Sequence, residues 1–294
     1  MIASSDQIGI GITTKNRWDD LEVTLTQLQN EGLDRLETLV MDDCSATPMP
    51  ARFEQQFPWV RFMRTESSAG LMAQRNRLFR LLSTPFILGL DDDSYPVAGS
   101  IEAAMNWMAE RPKVAALAFQ VLLRQQPLPP DFAPREPFPV RDYIGCATMI
   151  RRDLFVTLGG YEERFGYYVE EAEYCLRAIQ QGYEIQAYPS VVIRHHRSPI
   201  ERNLARRQRY FTRNEMLLAL WYFPFPKNYL RALRTLPAIL IKRPEMRKYW
   251  WAALKGYLEG PVCYLTWPKK RKRLTFSQFY HWKKLPMATE VVEG

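Results

Sequence analysis

The chain has 294 residues, 47% hydrophobic and 24% charged, with 8 Trp, 15 Tyr and 15 Phe, which excludes a disordered chain and a minimal disulfide-stapled scaffold. Its net charge of +8 is unevenly spread: residues 1–193 hold 18 Lys+Arg against 26 Asp+Glu, a balance of −8, and residues 194–294 hold 22 against 6, a balance of +16. An acidic body with a basic end points to a metal or catalytic site in the first part and an anionic surface contacted by the second.

The N-terminus lacks the basic flank and apolar stretch of a secretory signal, and no run of about 18 uninterrupted apolar residues is long enough to span a bilayer. The chain therefore reads as cytoplasmic. Its four cysteines, Cys44, Cys146, Cys175 and Cys263, lack the close pairing of a zinc site and read as buried small hydrophobes or inert thiols.

In chain order, Ile8 to Thr14 is a β-rich apolar run. Leu21, Leu25 and Leu28 then recur at helical spacing up to Gly32, and Leu36 to Met41 forms a second apolar strand stopped by Asp42-Asp43-Cys44-Ser45. Strand, helix, strand is the pattern of a parallel sheet with right-handed crossovers. It continues through Val60 to Met63 as a strand, Leu71 to Leu82 as a helix, and Phe86 to Leu90 as a strand running into Asp91-Asp92-Asp93. Ligands of open parallel sheets bind beyond the carboxyl ends of the strands, where both acidic clusters fall.

Six prolines between residues 125 and 140 predict an extended loop. A strand around Cys146 to Ile150, a helix from Arg152, the turn Gly159-Gly160 and a helix from about Glu170 to Gln181 follow, and Tyr183 to Ile193 returns as extended chain into His195-His196. From about Arg202 the texture is that of basic, aromatic helices, including Leu230 to Ile241 and Tyr249 to Leu258. The run Lys269-Lys270-Arg271-Lys272-Arg273 is flanked by Trp267 on one side and by Phe276, Phe279, Tyr280 and Trp282 on the other.

Three successive carboxylates after an apolar strand repel one another unless a cation neutralises them, and hard oxygen ligands suit Mg²⁺ or Mn²⁺ bridging the phosphates of a nucleotide. A solvated acidic turn is the bland alternative. Asp42 and Asp43 can accept hydrogen bonds from a ribose hydroxyl or a base N–H, or simply cap a helix. Glu170, Glu171 and Glu173 open a helix beside Phe165, Tyr167 and Tyr168. They read as dipole complements, or as a general base with a pKa raised by the apolar rings. His195 or His196 offers a nitrogen to the same cation as the Asp cluster.

In this order and at these intervals, several motifs resemble the inverting family 2 glycosyltransferases of the GT-A fold over about residues 7–222. They are Thr13-Thr14-Lys15-Asn16-Arg17, Leu39 to Ser45, Ala69 to Asn76, Asp91 to Asp93, Gly159 to Phe165, Glu170 to Arg177 and the histidine pair. The resemblance implies an α/β fold with a Rossmann-like, mostly parallel sheet flanked by helices over residues 1–224, and a basic helical extension over 225–294. It implies that Thr13, Asp43 and Arg75 hold the nucleobase and ribose, with Asp42 beside them. Asp92 and Asp93 would sit at the ribose and the metal-bound diphosphate, with Asp91 completing the acidic motif. Asp91, Asp93 and His195 would hold the metal, and Glu171, with Glu170 as the other candidate, would be the base. The family usually has Glu-Asp where this chain has Glu170-Glu171.

The expected activity is inverting transfer of a sugar from a nucleoside-diphosphate sugar, UDP or dTDP by family habit, with Mn²⁺ or Mg²⁺, to a glycan or lipid-linked acceptor in bacterial cell-surface polysaccharide assembly. Rival readings are a sugar nucleotidyltransferase, and a non-catalytic membrane- or nucleic-acid-binding protein on a degenerate nucleotide fold. For the basic tail, an interfacial helix on anionic lipid at the inner face of the membrane, a helical cap on the sheet, and nucleic-acid binding all fit the composition.

Overall fold

The computed structural model describes residues 6–129, 132–200, 203–242, 244–267 and 272–288. The chain starts β1 (Ile8–Thr14), α1 (Trp18–Asn30), β2 (Glu37–Asp42), α2 (Arg52–Gln56), β3 (Val60–Arg64), α3 (Leu71–Leu81) and β4 (Phe86–Asp91). It continues through β5 (Ser94–Ala98), α4 (Ile101–Ala109), β6 (Val114–Leu123), β7 (Phe138–Val140), β8 (Thr148–Arg151), α5 (Arg152–Thr157), α6 (Glu170–Gln180) and β9 (Glu184–His195). Four helices follow: α7 (Leu204–Tyr222), α8 (Lys227–Lys242), α9 (Trp250–Thr266) and α10 (Phe276–Lys284).

All the strands form one sheet in the order β3-β2-β1-β4-β8-β6-β9-β5, with β7 on β9. The expected parallel pattern holds for β3, β2, β1 and β4. Beyond β4 the sheet is mixed: β8 runs antiparallel to both β4 and β6, β6 pairs parallel with β9, and β5 and β7 are antiparallel to β9. Every residue of β1 is buried, because helices cover both faces of the sheet and a strand so placed reads as a continuous apolar run. One face packs Leu21, Leu25 and Leu28 with Met105 and Met108. The other packs Leu78 and Phe79 with Phe155 and Tyr174.

Residues 94–123, which carry no sequence expectation, supply β5, α4 and β6. The proline-rich stretch is not loop throughout, since its end forms β7 with Pro139 at its centre. That proline is tolerated because β7 is a three-residue edge strand with β9 as its only partner. Cys146 lies just ahead of β8 rather than in it.

The C-terminal region is helical, as its texture predicts, and it returns to the sheet. The Leu274 amide donates to the Tyr222 carbonyl at 2.8 Å, the Arg141 amide to the Pro286 carbonyl at 3.0 Å, and the Ala288 amide to Asp142 at 2.8 Å. Of the basic run, Lys269, Lys270 and Arg271 lie outside the described residues, while Lys272 and Arg273 are exposed. Among the described residues no helix is long and apolar enough to cross a membrane.

Helix α9 lies flush on α7 because Gly256 and Gly260 let the backbones meet. A Cβ on Gly256 would stand 2.0 Å from the Arg209 carbonyl oxygen, and one on Gly260 2.4 Å from the Met216 sulfur. A backbone neighbour cannot step aside as a flexible side chain does. Gly256→Ala is therefore expected to cost about 1–3 kcal/mol despite the better helix propensity of alanine, read as a lowered denaturant midpoint with an unchanged slope.

Candidate active site

The site forms where β1, β2 and β4 end. The ladder sets Thr13 beside Met41 and Asp91, and Thr14 beside Asp42, so the threonines and both acidic clusters share one edge of the sheet. Thr13 is buried there, and its hydroxyl has no hydrogen-bond partner among the described residues.

The two carboxylates after β2 have different tasks. Asp42 accepts from the Ser45 amide at 3.0 Å and the Ser45 hydroxyl at 2.5 Å, with Arg64 at 3.4 Å, and so braces its own turn. Asp43 accepts from Ser68 (2.7 Å), the Ala69 and Gly70 amides (2.8 and 3.2 Å) and Gln74 (2.7 Å), which ties the start of α3 to the end of β2. Burial pushes this carboxyl up, but the hydrogen bonds from Gln74, Ser68 and the two amides outweigh it and hold Asp43 below the ordinary range.

The three aspartates after β4 point in different directions. Asp92 is buried, accepting from Thr14 at 2.8 Å and Arg17 at 2.9 Å, while its carbonyl accepts from Thr24. Burial, with Asp93 and Asp91 alongside, outweighs Arg17 and raises its pKa to about 7. Asp92 thus anchors the loop after β1. Asp93 is also buried: one oxygen accepts the Ser198 amide at 2.6 Å and the other faces Nε2 of His195 at 3.3 Å. Burial pushes it up, but His195, the Ser198 amide and Arg17 bring it down to about 2. Asp91, with a side chain 26% exposed, faces the opening and accepts from Arg75 at 2.5 Å.

His195 turns its other nitrogen, Nδ1, to the Cys146 sulfur at 3.4 Å. His196 instead pairs its Nε2 with the Tyr95 hydroxyl at 2.9 Å. Donor atoms of Asp91, Cys146 and His195 all lie within 4.8 Å of one another, an oxygen, sulfur and nitrogen set that fits a divalent cation. Burial, reinforced by Asp91 and Asp93, pushes the Cys146 thiol well above its usual pKa.

The carboxylates that open α6 also divide. Glu171 is 20% exposed on its side chain and sits 3.6 Å from Nη1 of Arg75, the same guanidinium that holds Asp91. Gly145 leaves room for this pair, since a Cβ there would stand 2.5 Å from both Arg75 Nη1 and Glu171 Oε1. Glu170 is 3% exposed, and its Oε2 has no hydrogen-bond partner among the described residues. Burial and the adjacent Glu171 charge push Glu170 well above the carboxylate range. Glu173 points into the core, where it pairs with Arg177 at 2.8 Å and accepts from the Tyr222 hydroxyl.

Because folded Glu170 keeps a proton that an unfolded glutamic acid releases above about pH 4.5, stability falls as pH rises from that value toward the raised pKa. The slope approaches about 1.4 kcal/mol per pH unit. Glu170→Gln, which carries no titrating proton, should flatten this fall, read by urea unfolding between pH 5 and pH 8.

The turn ahead of α6 is strained: Tyr168 and Val169 have φ of 67° and 75°, a left-handed conformation costly for a β-branched residue. Helix α7 holds it in place. Asn214 Nδ2 lies 3.1, 3.0 and 2.8 Å from the carbonyl oxygens of Phe165, Tyr167 and Tyr168, and Arg213 donates to those of Arg164 and Phe165.

Thr13, Asp91, Arg75, Glu171, His195 and Cys146 therefore meet at the opening, whereas Asp42, Asp43 and Asp92 brace loops around it and Asp93 stands behind His195. Arg17 and Cys146 were not expected. Cys146 is placed by the ladder and not by any local pattern: β8 runs back along β4 with Thr148 opposite Gly89, and two further residues bring position 146 to Asp91. Arg17 closes the Thr13-to-Arg17 motif, which marks its place, but its partner Asp92 follows it by 75 residues, so the motif does not show its task.

A sequence profile described as glycosyl transferase family 2 matches residues 10–159, slightly over half of the chain, and one described as the N-terminal domain of galactosyltransferase matches residues 132–199. An uncharacterized glycosyltransferase of Haemophilus influenzae is 22% identical over 185 residues, 59% of this chain and 62% of that protein, so the chain spans less than two thirds of it. GalNAc-T7, solved with UDP, GalNAc and Mn²⁺, superposes with a TM-score of 0.64 at 15% identity, over 92% of this chain and 59% of that one. TarS of S. aureus (residues 1–349) gives 0.58 at 14% identity over 86% and 80% of the two chains. The mannosyltransferase PcManGT of Pyrobaculum calidifontis, with GDP-Man and Mn²⁺, gives 0.57 at 14% over 90% and 88%. At such identities the likeness to the solved proteins establishes a common fold, and with the profile match over residues 10–159 it follows that the chain belongs to glycosyl transferase family 2, on a GT-A fold.

Proposed function

We propose that the protein transfers a sugar, with inversion, from a nucleoside-diphosphate sugar to an acceptor hydroxyl. The observation that carries this reading is the Asp91–Arg75–Glu171 bridge, which sets a carboxylate suited to a cation and a carboxylate suited to proton removal on opposite sides of one guanidinium. Glu171 is the member of the glutamate pair that reaches solvent, and it serves as the base; the carboxyl of Glu170 beside it is held well above the carboxylate range by burial. Thr13 and the ordered loops around Asp43 receive the nucleoside. Asp91 and His195 would hold a divalent cation, Mn²⁺ or Mg²⁺, which would offset the charge of the leaving diphosphate. Asp93 acts through His195, as the orienting carboxylate behind a metal-binding imidazole.

Glu171 takes the proton of the acceptor hydroxyl, whose oxygen forms its bond to the anomeric carbon as the bond to the nucleotide oxygen breaks on the opposite face. The diphosphate leaves with that electron pair. One displacement inverts the anomeric centre without a covalent enzyme intermediate. UDP or dTDP is the proposed nucleotide, and a glycan or lipid-linked acceptor of surface-polysaccharide assembly the proposed acceptor. Incubation with a panel of nucleotide sugars and Mn²⁺ tests the reading: release of nucleoside diphosphate supports it, release of pyrophosphate marks a nucleotidyltransferase, and no turnover with any donor returns the chain to a binding role.

Peripheral contact with an anionic membrane belongs to the same reading. On the outside of the C-terminal helices, Trp250, Trp251, Leu258 and Val262 line an open groove of about 420 Å³ that also includes Lys255. Ile241 and Leu265 nearby are 69% and 78% exposed. Exposed tryptophans interleaved with lysine suit an interface of headgroups and acyl chains. Cosedimentation should show binding to anionic vesicles that weakens with salt and with Trp250→Ala/Trp251→Ala, and none to neutral vesicles. Equal recovery from both vesicle types would leave the helices as a cap on the sheet.

A further inference from the structure

The cysteine beside the acidic cluster faces a histidine and a carboxylate. Its sulfur lies 3.4 Å from His195 Nδ1, and donor atoms of Cys146, His195 and Asp91 lie within 4.8 Å of one another. A tetrahedral ion with bonds of about 2.3 Å to sulfur and about 2.0 Å to nitrogen requires those two donors to be about 3.5 Å apart, the spacing found here. The imidazole stands between two groups: Asp93, fixed by the Ser198 amide, has its other oxygen 3.3 Å from Nε2, and Nδ1 faces Cys146. A carboxylate behind the distal nitrogen is the usual support of a metal-binding histidine. Asp91 and His195 are both partly exposed, so an ion has a path from solvent.

We propose that Cys146 is a direct ligand of the cation site, with Asp91 supplying oxygen, His195 supplying Nδ1 and Asp93 orienting the imidazole from behind. This rests on the divalent-cation reading of the site and deepens it by naming the class of ion. On binding, the thiol gives its proton to water and the sulfur–metal bond forms. A sulfur donor moves preference away from Mg²⁺, which demands oxygen ligands, toward Zn²⁺ and Co²⁺.

The test is Co²⁺ titration of the chelator-stripped full chain, followed by absorption. Visible ligand-field bands report that the ion is bound, and a near-ultraviolet sulfur-to-cobalt charge-transfer band reports a thiolate ligand. Both are expected in the wild type. Cys146→Ser should lose the charge-transfer band and retain the visible ones, whereas Cys44→Ser and Cys263→Ser should retain both. Zn²⁺ affinity by competition should fall tenfold or more in Cys146→Ser, with a smaller change for Mn²⁺. X-ray absorption of the Zn²⁺-loaded wild type should show a sulfur shell at about 2.3 Å, a readout independent of how any variant folds. Bound Co²⁺ without the charge-transfer band, or a band that survives Cys146→Ser, overturns the role of Cys146. Absence of Co²⁺ binding altogether overturns the cation reading beneath it.

Discussion

Glu171→Gln is expected to lower sugar transfer by about a hundredfold or more while leaving nucleotide affinity within about twofold of wild type, since it removes a proton acceptor and keeps the shape of the side chain. Glu170→Gln should change turnover little, because Glu170 is buried and burial holds its carboxyl well above the carboxylate range. The two variants are compared by initial rates at saturating donor and by calorimetric titration with nucleoside diphosphate. A normal rate in Glu171→Gln together with a collapsed rate in Glu170→Gln would assign the base to the wrong member of the pair.

The second large effect is expected at Asp91. Asp91→Asn should abolish the metal-dependent part of nucleotide binding, while the fold survives because the amide oxygen still accepts from Arg75. A ligand at a hundredfold its Kd stabilises the folded state by about 2.7 kcal/mol, so the rise in Tm given by nucleoside diphosphate plus Mn²⁺ in the wild type should shrink to that given by nucleotide alone. Asp93→Asn is expected to fall between the two, with metal affinity lowered about 10–100-fold, as for loss of a carboxylate that orients a ligand. If Asp93→Asn lost all metal binding and Asp91→Asn lost none, Asp93 would be a ligand itself.

How far these residues were legible in the sequence follows from the range of the forces that place them. Helices α1 and α3 and strands β1, β2 and β4 show in the spacing of Leu21, Leu25 and Leu28 and in the apolar runs that stop at Asp42 and Asp91, because local periodicity reports directly on which face is buried. Short β5 and edge strand β7 leave almost no such trace, since their pairing is set by β9, up to about a hundred residues away. The same holds within the site. That acidic residues gather at the strand ends is readable, but which carboxylate faces outward depends on distant partners: Thr14 and Arg17 for Asp92, Ser198 for Asp93, Ser68 and Gln74 for Asp43. Cys146 lay hidden because a buried thiol in an apolar stretch resembles any other small core residue until the antiparallel ladder of β8 and β4 sets it beside Asp91.

The strained turn at Tyr168 and Val169, gripped by Asn214 and Arg213, divides the responsibilities of the chain. The proposed nucleotide half of the site hangs from β1, β2 and β4, inside the segment matched by the family profile, whereas Glu171 takes its footing from a helix that begins 45 residues after that segment ends. Donor affinity and transfer are thus separable properties with separate mechanical supports. Loosening α7, by mutating Asn214 or by prying at the α9 helix packed on its far side, would give a protein that still recognises its nucleotide and no longer uses it. By the same logic, whatever engages the exposed face of α9 stands only one helix away from the turn that carries the proposed base, close enough for docking at that surface to be felt as a change in turnover.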